Sequence, residues 1–488
     1  MGDTLYFVAN DATHGTELWK SDGTEAGTQI VRDIFPGSSG SIWSISSYAS
    51  DLNERISAIG STLYFSALDS YATGYELWKS DGTEAGTVLV KDINPVVSSL
   101  PTLFTGVGNT VYFVADDRTS GVELWKTDGS TAGTTRVADI WPGIDSSSPS
   151  NLFSFRGALY FSANDGSSGW ELWRSDGTTS GTVRVRDLEP GVNGSGPSAF
   201  VEADGTLFFS AFTSAAGGFA GATLWKSDGT PAGTVRLTTR DRAMIDDFRG
   251  LHALGPLVLF SANEDAHGSE LWRSDGTEAG TVMVRDIRPG LAGSNPKNFR
   301  VVAGKLLFEA NDGAGGEELW ISDGTEDGTY TLADIASPGG SNPAELTWID
   351  DRVYLVAQND SVGRELFSVP LSRIVDRDGD GLDDATEHSV GTNPNLPDTD
   401  GDGLSDGAEV LTYGTDPLDS DTDDDGASDG LEVSRGTNPL IPGNGTPAVP
   451  LAGDVGRAVL LISLWGLGIQ HLRRNPFRPS PTRSDRSR

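Results

Sequence analysis

Short apolar runs separated by glycine-containing turns recur along the first 370 residues of the chain. In one representative unit, residues 159–163 form a largely apolar run, which is typical of a strand buried on both faces. Residues 183–186 alternate apolar and charged side chains, as an outer strand does. Together with the segments at 151–155 and 171–174, this pattern predicts four short strands in each unit of about 48 residues.

The units share the phrase Glu-Leu-Trp-Lys-Ser-Asp-Gly-Thr-Glu-Ala-Gly-Thr, which first occurs at residues 17–28. Copies lie roughly 47 to 59 residues apart, and Phe367 replaces the tryptophan in an eighth, degenerate copy. Four strands per unit at this period predict an all-β fold, a β-propeller of seven or eight four-stranded blades, over residues 1–370. The tryptophans of the phrase are Trp19, Trp78, Trp125, Trp173, Trp225, Trp272 and Trp320.

The repeated residues are expected to build the fold rather than a binding site, because residues present in every repeat usually serve the repeat itself. We expect the tryptophans to pack between units, and the alternative is a platform for stacking sugars. The aspartate of each Asp-Gly pair is expected to form its turn, and the alternative is an acidic ring on one face. These aspartates are Asp22, Asp81, Asp128, Asp176, Asp228, Asp275 and Asp323.

The first, fifth and eighth units depart from the pattern. The first lacks an opening strand and the eighth lacks a fourth, so the number of blades stays open between seven and eight. Because the chain begins in the middle of a unit, we expect an upstream segment with an export signal. The fifth unit has an enlarged Gly/Ala loop at 214–221 and Thr223 in place of the usual glutamate, which makes it the candidate for a special contact.

On these residues, the region 1–370 resembles the ELWxxDGT repeat proteins of bacterial surfaces. The resemblance implies an exported repeat protein, and it implies no particular reaction.

The composition excludes several classes of function. A net charge of −35 argues against a nucleic-acid partner, because phosphate backbones are bound through lysine and arginine. The absence of cysteine excludes disulfides, thiol nucleophiles and cysteine-ligated metals. No zinc-protease helix, nucleophile elbow or P-loop is present, so no catalytic or cofactor-binding residue is predicted.

Three acidic segments follow the repeats, each with carboxylates at positions 1, 3, 5, 9 and 12 of a twelve-residue loop. Glycine at position 6 permits a sharp bend, position 7 offers a backbone carbonyl, and a final glutamate offers two oxygens. This spacing suits a calcium ion, which takes six to eight oxygen ligands. The predicted ligands are Asp376, Asp378, Asp380, Leu382, Asp384 and Glu387 in loop one, Asp398, Asp400, Asp402, Leu404, Asp406 and Glu409 in loop two, and Asp421, Asp423, Asp425, Ala427, Asp429 and Glu432 in loop three.

The loops are joined by Gly-Thr-Asn-Pro or Gly-Thr-Asp-Pro phrases and resemble the bacterial thrombospondin type 3 repeat over residues 371–442. Loops this close together leave no room for the long entering helices of paired EF-hands, so only short exit helices are expected. We expect a module that calcium stiffens, because the energy of metal binding is also folding energy.

The tail changes character again. A linker at 443–454 leads to an apolar helix at 455–472 and a basic tail at 473–488. Their order resembles bacterial C-terminal sorting signals of the PEP-CTERM and related types, which implies at least transient contact with a membrane. The alternative is a buried core helix.

From the whole sequence we expect a non-enzymatic, monomeric protein exported to the cell surface, the outer membrane or the medium, which binds a surface protein or a glycan. The alternative is a secreted propeller enzyme, a hydrolase or lyase acting on polysaccharide.

Overall fold

The computed structural model of the protein describes residues 1–42, 55–215, 218–238, 244–245, 250–333, 335, 339–359 and 361–443. The chain divides into two compact units, Met1–Gly293 and Ser294–Arg488. The described residues are mostly antiparallel β-structure, which confirms the predicted fold class at that level.

The first unit contains strands β1 to β24. One three-stranded and three four-stranded sheets come first: β1 (Leu5–Asp11), β2 (Gly15–Ser21) and β3 (Gln29–Arg32); β4 (Ile56–Ile59), β5 (Thr62–Leu68), β6 (Tyr75–Ser80) and β7 (Val88–Lys91); β8 (Thr102–Val107), β9 (Thr110–Asp116), β10 (Val122–Thr127) and β11 (Thr135–Arg136); β12 (Ser150–Phe155), β13 (Ala158–Asn164), β14 (Trp170–Ser175) and β15 (Val183–Arg186). The opening strand missing from the first sheet agrees with the sequence.

The fifth and sixth repeats form one continuous nine-stranded sheet. Its strands are β16 (Ser198–Ala203), β17 (Thr206–Ala215), β18 (Gly218–Ser227), β19 (Val235–Arg236), β20 (Met244–Ile245), β21 (His252–Leu254), β22 (Leu257–Glu264), β23 (Gly268–Ser274) and β24 (Val282–Arg285). The short strand β20 joins the two repeats, because Ile245 pairs with Ala222 of β18 while Met244 pairs with Asn263 of β22.

This arrangement corrects the prediction of an enlarged loop at 214–221. The described part of that segment extends the β17–β18 hairpin to ten residues in each strand. Glycine and alanine residues at 214–221 are typical of a loop, but Gly221 also leaves room for β20 to pair alongside. In keeping with this close approach, a Cβ at Gly221 would lie 2.8 Å from the sulfur of Met244.

Five tryptophans of the phrase pack between neighbouring repeats, as predicted: Trp78, Trp125, Trp173, Trp225 and Trp272. Trp78 lies in the same apolar cluster as Leu18 and Val31 of the preceding repeat, and Trp125 lies with Leu77 and Val90. The lysine after the tryptophan makes a polar contact with the following repeat: Lys20 Nζ donates to the carbonyl of Gly82 at 2.9 Å. The repeated phrase therefore joins repeats as well as forming strands.

The aspartates of the Asp-Gly pairs are turn residues, also as predicted. Asp81 Oδ1 accepts hydrogen bonds from the amide of Thr83 at 2.9 Å and from its hydroxyl at 2.7 Å. Gly86 closes over the same carboxylate, and a Cβ there would lie 2.0 Å from Oδ1 of Asp81. The aspartate and the second glycine of the repeated phrase are therefore both required by the geometry of one turn.

The glutamate of the phrase has a role that the sequence did not disclose. Glu76 is buried, and it accepts hydrogen bonds from the amide of Ile93 at 2.7 Å and from the amide and hydroxyl of Ser99 at 2.8 and 2.6 Å. It therefore holds the connection that leads to the next repeat. Burial raises the pKa of Glu76 to about 7, and the neighbouring charge of Asp92 adds to this increase, which the hydrogen bonds offset only in part.

The second unit contains two further repeats and the acidic loops. Its strands are β25 (Lys297–Val302), β26 (Lys305–Asn311), β27 (Glu317–Ser322) and β28 (Tyr330–Ala333), then β29 (Ala344–Ile349), β30 (Arg352–Asn359) and β31 (Gly363–Pro370). The second of these sheets lacks a fourth strand, as the sequence predicts. Short helices follow: α1 (Ser372–Val375), α2 (Asp384–Val390), α3 (Asp406–Ala408) continued by a π-helical turn (Glu409–Tyr413), and α4 (Asp429–Arg435).

Among the described residues, no helix has both the length and the apolar character needed to cross a bilayer. The predicted apolar helix at 455–472 lies outside the described residues, as do the linker and the basic tail.

Candidate metal centre

The structure gathers the carboxylates of positions 1, 3 and 5 in each acidic loop. In every loop, the three residues can each place one carboxylate oxygen so that all three oxygens lie within 4.8 Å of one another. Such a spacing allows a single cation to contact all three. The clusters are Asp376, Asp378 and Asp380; Asp398, Asp400 and Asp402; and Asp421, Asp423 and Asp425.

The loop backbone explains how these side chains converge. The position-6 glycines Gly381, Gly403 and Gly426 have φ of 99°, 100° and 91°, a conformation that side chains oppose. In loop two, Asp398 accepts the amide of Gly401 on Oδ1 at 2.8 Å and that of Gly403 on Oδ2 at 2.9 Å. The first carboxylate thus fixes the bend that brings the others around it.

The glutamates of position 12 are buried in the helices that follow. Glu387 and Glu409 are fully buried and Glu432 is 5% exposed. Among the residues that the structure describes, neither carboxylate oxygen of Glu387 has a hydrogen-bond partner, and Oε2 of Glu409 and of Glu432 also lacks one. A buried carboxylate without a partner is costly, so these oxygens fit a metal ion that would supply the missing interaction.

The aspartates of position 3 resemble the glutamates of position 12 in having buried carboxylate oxygens that fit a metal ion. Both side-chain oxygens of Asp378 are buried without a hydrogen-bond partner in the described part of the chain, and Oδ2 of Asp400 and of Asp423 is likewise buried without one. Burial, together with neighbouring carboxylates, raises the pKa of Asp378 to about 6 and that of Glu387 to about 8. These carboxylates repel one another when no cation is bound, and a hard cation such as calcium, which prefers oxygen ligands, would offset that repulsion.

The carboxylates of position 9 accept hydrogen bonds from position 2 of their own loops. Asp406 Oδ1 accepts the amide of Thr399 at 2.8 Å and Oδ2 accepts its hydroxyl at 2.6 Å. Asp429 accepts the same pair of hydrogen bonds from Thr422. These carboxylates, with Asp384, lie outside the three-oxygen clusters and fasten position 2 of their own loops.

The position-2 threonines are therefore site residues that the sequence reasoning missed. Their signal is visible in loops two and three, which both begin Asp-Thr-Asp. For position 7, Leu382 and Leu404 are buried beside their loops, and Ala427 stands at the corresponding place.

Comparison with known protein families supports the interpretation of the acidic loops as repeats of one kind. Residues 376–397, 398–420 and 421–442 each match the family model described as "Bacterial TSP3 repeat". This match confirms the predicted thrombospondin type 3 resemblance. Such repeats bind calcium and are typical of exported proteins. The resemblances to ELWxxDGT repeats and to a PEP-CTERM signal stay predictions.

No curated protein matches the chain. Among solved structures, the chain is similar to a puromycin hydrolase, with 15% identity and a TM-score of 0.33 over 65% of this chain and 51% of the other. It is also similar to the β-propeller domain of the Trilobed protease from Pyrococcus furiosus, with 14% identity and a TM-score of 0.33 over 64% of this chain and 95% of that domain. Prolyl endopeptidases give 15% identity and a TM-score of 0.39 over 65% of this chain and 48% of theirs.

These comparisons correct the expected function. The similar structures are peptidases or peptidase domains, which contradicts the expectation of a non-enzymatic protein that binds a surface protein or a glycan, and we withdraw it. The chain spans about half the length of the puromycin hydrolase and of the prolyl endopeptidases. At 8 to 15% identity and with TM-scores below 0.4, the likeness transfers no peptidase activity to this chain.

Proposed function

We propose that residues 376–442 form an extracellular calcium-binding module that holds three calcium ions and is ordered by them. The observation that carries this proposal is the set of buried carboxylate oxygens without hydrogen-bond partners at positions 3 and 12 of all three loops. Each loop would hold one ion through positions 1, 3 and 5, the carbonyl of position 7 and the glutamate of position 12.

Position 9 would act behind the ion, by fixing position 2 of the loop. Carboxylates fastened by neighbouring hydrogen bonds orient metal ligands in many sites, and here they hold the start of each loop in place. Calcium itself supplies charge and up to eight coordination positions, which offset the mutual repulsion of the carboxylates.

The proposed setting outside the cell is supported by the match to bacterial TSP3 repeats and agrees with the calcium affinity expected of such loops. Calcium loops of extracellular modules bind with dissociation constants of roughly 10⁻⁴ to 10⁻³ M, which suits a compartment where calcium is plentiful. In this proposal, the eight repeats preceding the module form a β-propeller, and the module joins it to the tail.

Isothermal titration calorimetry of calcium into the full, calcium-free chain tests the proposal. We expect uptake of three ions, accompanied by a gain of helical circular dichroism from the exit helices. Magnesium, which demands a stricter octahedral geometry, should compete poorly. Absence of calcium uptake would refute the proposal.

A further inference from the structure

The first calcium loop lacks the hydroxyl that completes the other two. In loops two and three, a threonine at position 2 donates its hydroxyl to Oδ2 of the position-9 carboxylate, at 2.6 Å in both cases. Loop one has Arg377 at position 2, and its amide donates to Oδ1 of Asp384 at 2.9 Å as the other two amides do to their partners. Its side chain offers no hydroxyl to Oδ2.

Lys305 supplies the missing donor from the repeat region. Its Nζ donates to Oδ2 of Asp384 at 3.1 Å, across 79 positions of sequence. Both side chains are shielded, with 14% of the lysine side chain and 6% of the aspartate side chain exposed. Shielding from water strengthens such a charged contact, whereas surface ion pairs contribute little.

Lys305 is a departure from the repeat at its own position. It opens β26, and the corresponding first residue of β5, β9 and β17 is threonine, namely Thr62, Thr110 and Thr206. The position varies in other repeats, which have Ala158, Leu257 and Arg352 at the start of β13, β22 and β30. The lysine stands in the sheet that contacts loop one.

A second departure lies beside the first. Tyr330 begins β28, where β7, β15 and β24 begin with valine. The guanidinium of Arg377 lies 4.0 Å from the centroid of the Tyr330 ring, close enough for a cation–π contact. Lys305 and Tyr330 thus contact Asp384 and Arg377, which occupy the ninth and second positions of loop one.

The connecting segment is also fixed. Ile374 in α1 is fully buried in the apolar cluster that contains Leu307 and Val353 of the neighbouring strands. A cavity of about 530 Å³ remains between the sheet and the loop, and Lys305, Asp323, Asp384 and His388 contribute to its lining. Loop one is therefore held against the sheet by a few individual side-chain contacts rather than by continuous packing.

We propose that Lys305 is a positioning residue of the first calcium site, so that the sheet β25–β28 and calcium in loop one stabilise each other. This inference rests on the proposed calcium binding. Calcium would order loop one, and the ordered loop would present Asp384 and Arg377 to the sheet. Because coupling is reciprocal, the folded sheet would raise the calcium affinity of loop one, and would act on the other loops only through loop one.

The charge of Lys305 alone acts in the opposite direction. A cation near the loop repels calcium, so a lysine with no positioning role would weaken calcium binding, and its removal would strengthen it. The sign of the effect therefore separates positioning from simple electrostatics.

The decisive variant is Lys305→Thr in the full chain, which restores the residue found at this place in three other repeats and is thereby compatible with the sheet. We expect calorimetry to show one of the three calcium sites weakened roughly tenfold, as loss of one charged hydrogen bond implies. We also expect hydrogen exchange measured by mass spectrometry to lose the calcium-induced protection of residues 305–311 that the unmodified chain shows.

Two controls accompany it. Thr399→Val removes the equivalent donor in loop two, so it should weaken one site while leaving calcium-induced protection of 305–311 intact. Lys305→Arg keeps a cationic donor and should retain most of both effects. Unchanged or tighter calcium binding in Lys305→Thr, with protection of 305–311 retained, would overturn the positioning role alone, whereas absence of calcium uptake by the unmodified chain would overturn the calcium-binding function itself.

Discussion

The backbone amide of Gly430 donates a hydrogen bond to Oδ2 of Asp402 at 2.5 Å, and this bond joins the third calcium loop to the second. The same relationship links Gly407 to Asp380 between loops two and one. In each case, a predicted calcium ligand at position 5 also accepts the amide at position 10 of the next loop. The three loops are therefore connected through their ligands as well as through the chain.

The first prediction concerns Gly430→Ala. A Cβ at this position would lie 2.7 Å from the carbonyl oxygen of Asp402, so loop three must move away and lose its hydrogen bond to that residue. We expect a destabilisation of about 1–3 kcal/mol in the calcium-loaded module and weaker calcium binding at loop two. Urea unfolding followed by circular dichroism and calcium calorimetry measure the two effects.

Leu431→Ala is the matched control, because Leu431 is the next residue of the same helix and its side chain is 40% exposed. It should change calcium binding little. Equal effects of the two substitutions would mean that the contact between Gly430 and Asp402 is unimportant.

The second prediction concerns Glu409→Gln at position 12 of loop two. Burial, with nearby Asp400, Asp402 and Asp406, raises the pKa of Glu409 to about 8. The amide removes one charged oxygen donor, so we expect calcium binding at this loop to weaken at least tenfold, while calcium-free stability is kept or increased through reduced repulsion.

Calorimetry should then count two strong sites instead of three. Glu84→Gln, an exposed glutamate of a repeat turn, changes the net charge equally and should leave all three sites unaltered. A full count of three sites in Glu409→Gln would exclude Glu409 as a ligand.

Much of this architecture could be predicted from residue patterns. The apolar runs and Asp-Gly pairs located the strands and turns, since both depend on contacts within one repeat. The acidic loops were equally readable, because glycine at position 6 and alternating carboxylates are local requirements of calcium coordination.

Other features depend on contacts between distant residues and could not be read in this way. The bond from Lys305 to Asp384 joins residues 79 positions apart, and Glu76 reaches a connection 17 to 23 residues ahead. The pairing of β20 with two repeats also depends on a strand of two residues, which is too short to leave a periodic pattern.

The third prediction concerns Glu76→Ala. Truncation removes the carboxylate acceptor of the Ile93 amide and of the Ser99 hydroxyl, whereas the Ser99 amide keeps its hydrogen bond to the carbonyl of Tyr75. Unsatisfied buried donors cost about 1–3 kcal/mol, so we expect a loss of about 3 kcal/mol in the free energy of unfolding. Urea unfolding followed by tryptophan fluorescence provides the measurement.

Glu84→Ala is the control for this substitution, because it removes an exposed glutamate eight residues away and should change stability by less than about 0.5 kcal/mol. A similarly small loss for Glu76→Ala would show that the buried carboxylate does not hold the connection between repeats.

The fourth prediction is a stability that falls as pH rises from about 4.5 to about 7. Burial raises the pKa of Glu76 and of Glu171 to about 7, from a usual value of 4.5. A raised carboxyl pKa means that the folded chain binds protons which the unfolded chain releases above pH 4.5. The resulting stabilisation is complete below that pH and is lost as pH rises through 7.

The turn aspartates act in a lower window. Hydrogen bonds from Thr83 lower the pKa of Asp81, so the stability that it contributes is present above its usual value of 3.8 and is lost only on further acidification. In calcium-free buffer, the urea midpoint followed by tryptophan fluorescence should therefore be higher at pH 5.5 than at pH 7.5. Glu76→Gln combined with Glu171→Gln should reduce this dependence, because neither amide titrates, while other carboxyls with raised pKa such as Glu309 continue to contribute. A midpoint that rises with pH in the unmodified chain would contradict the effect of the buried glutamates.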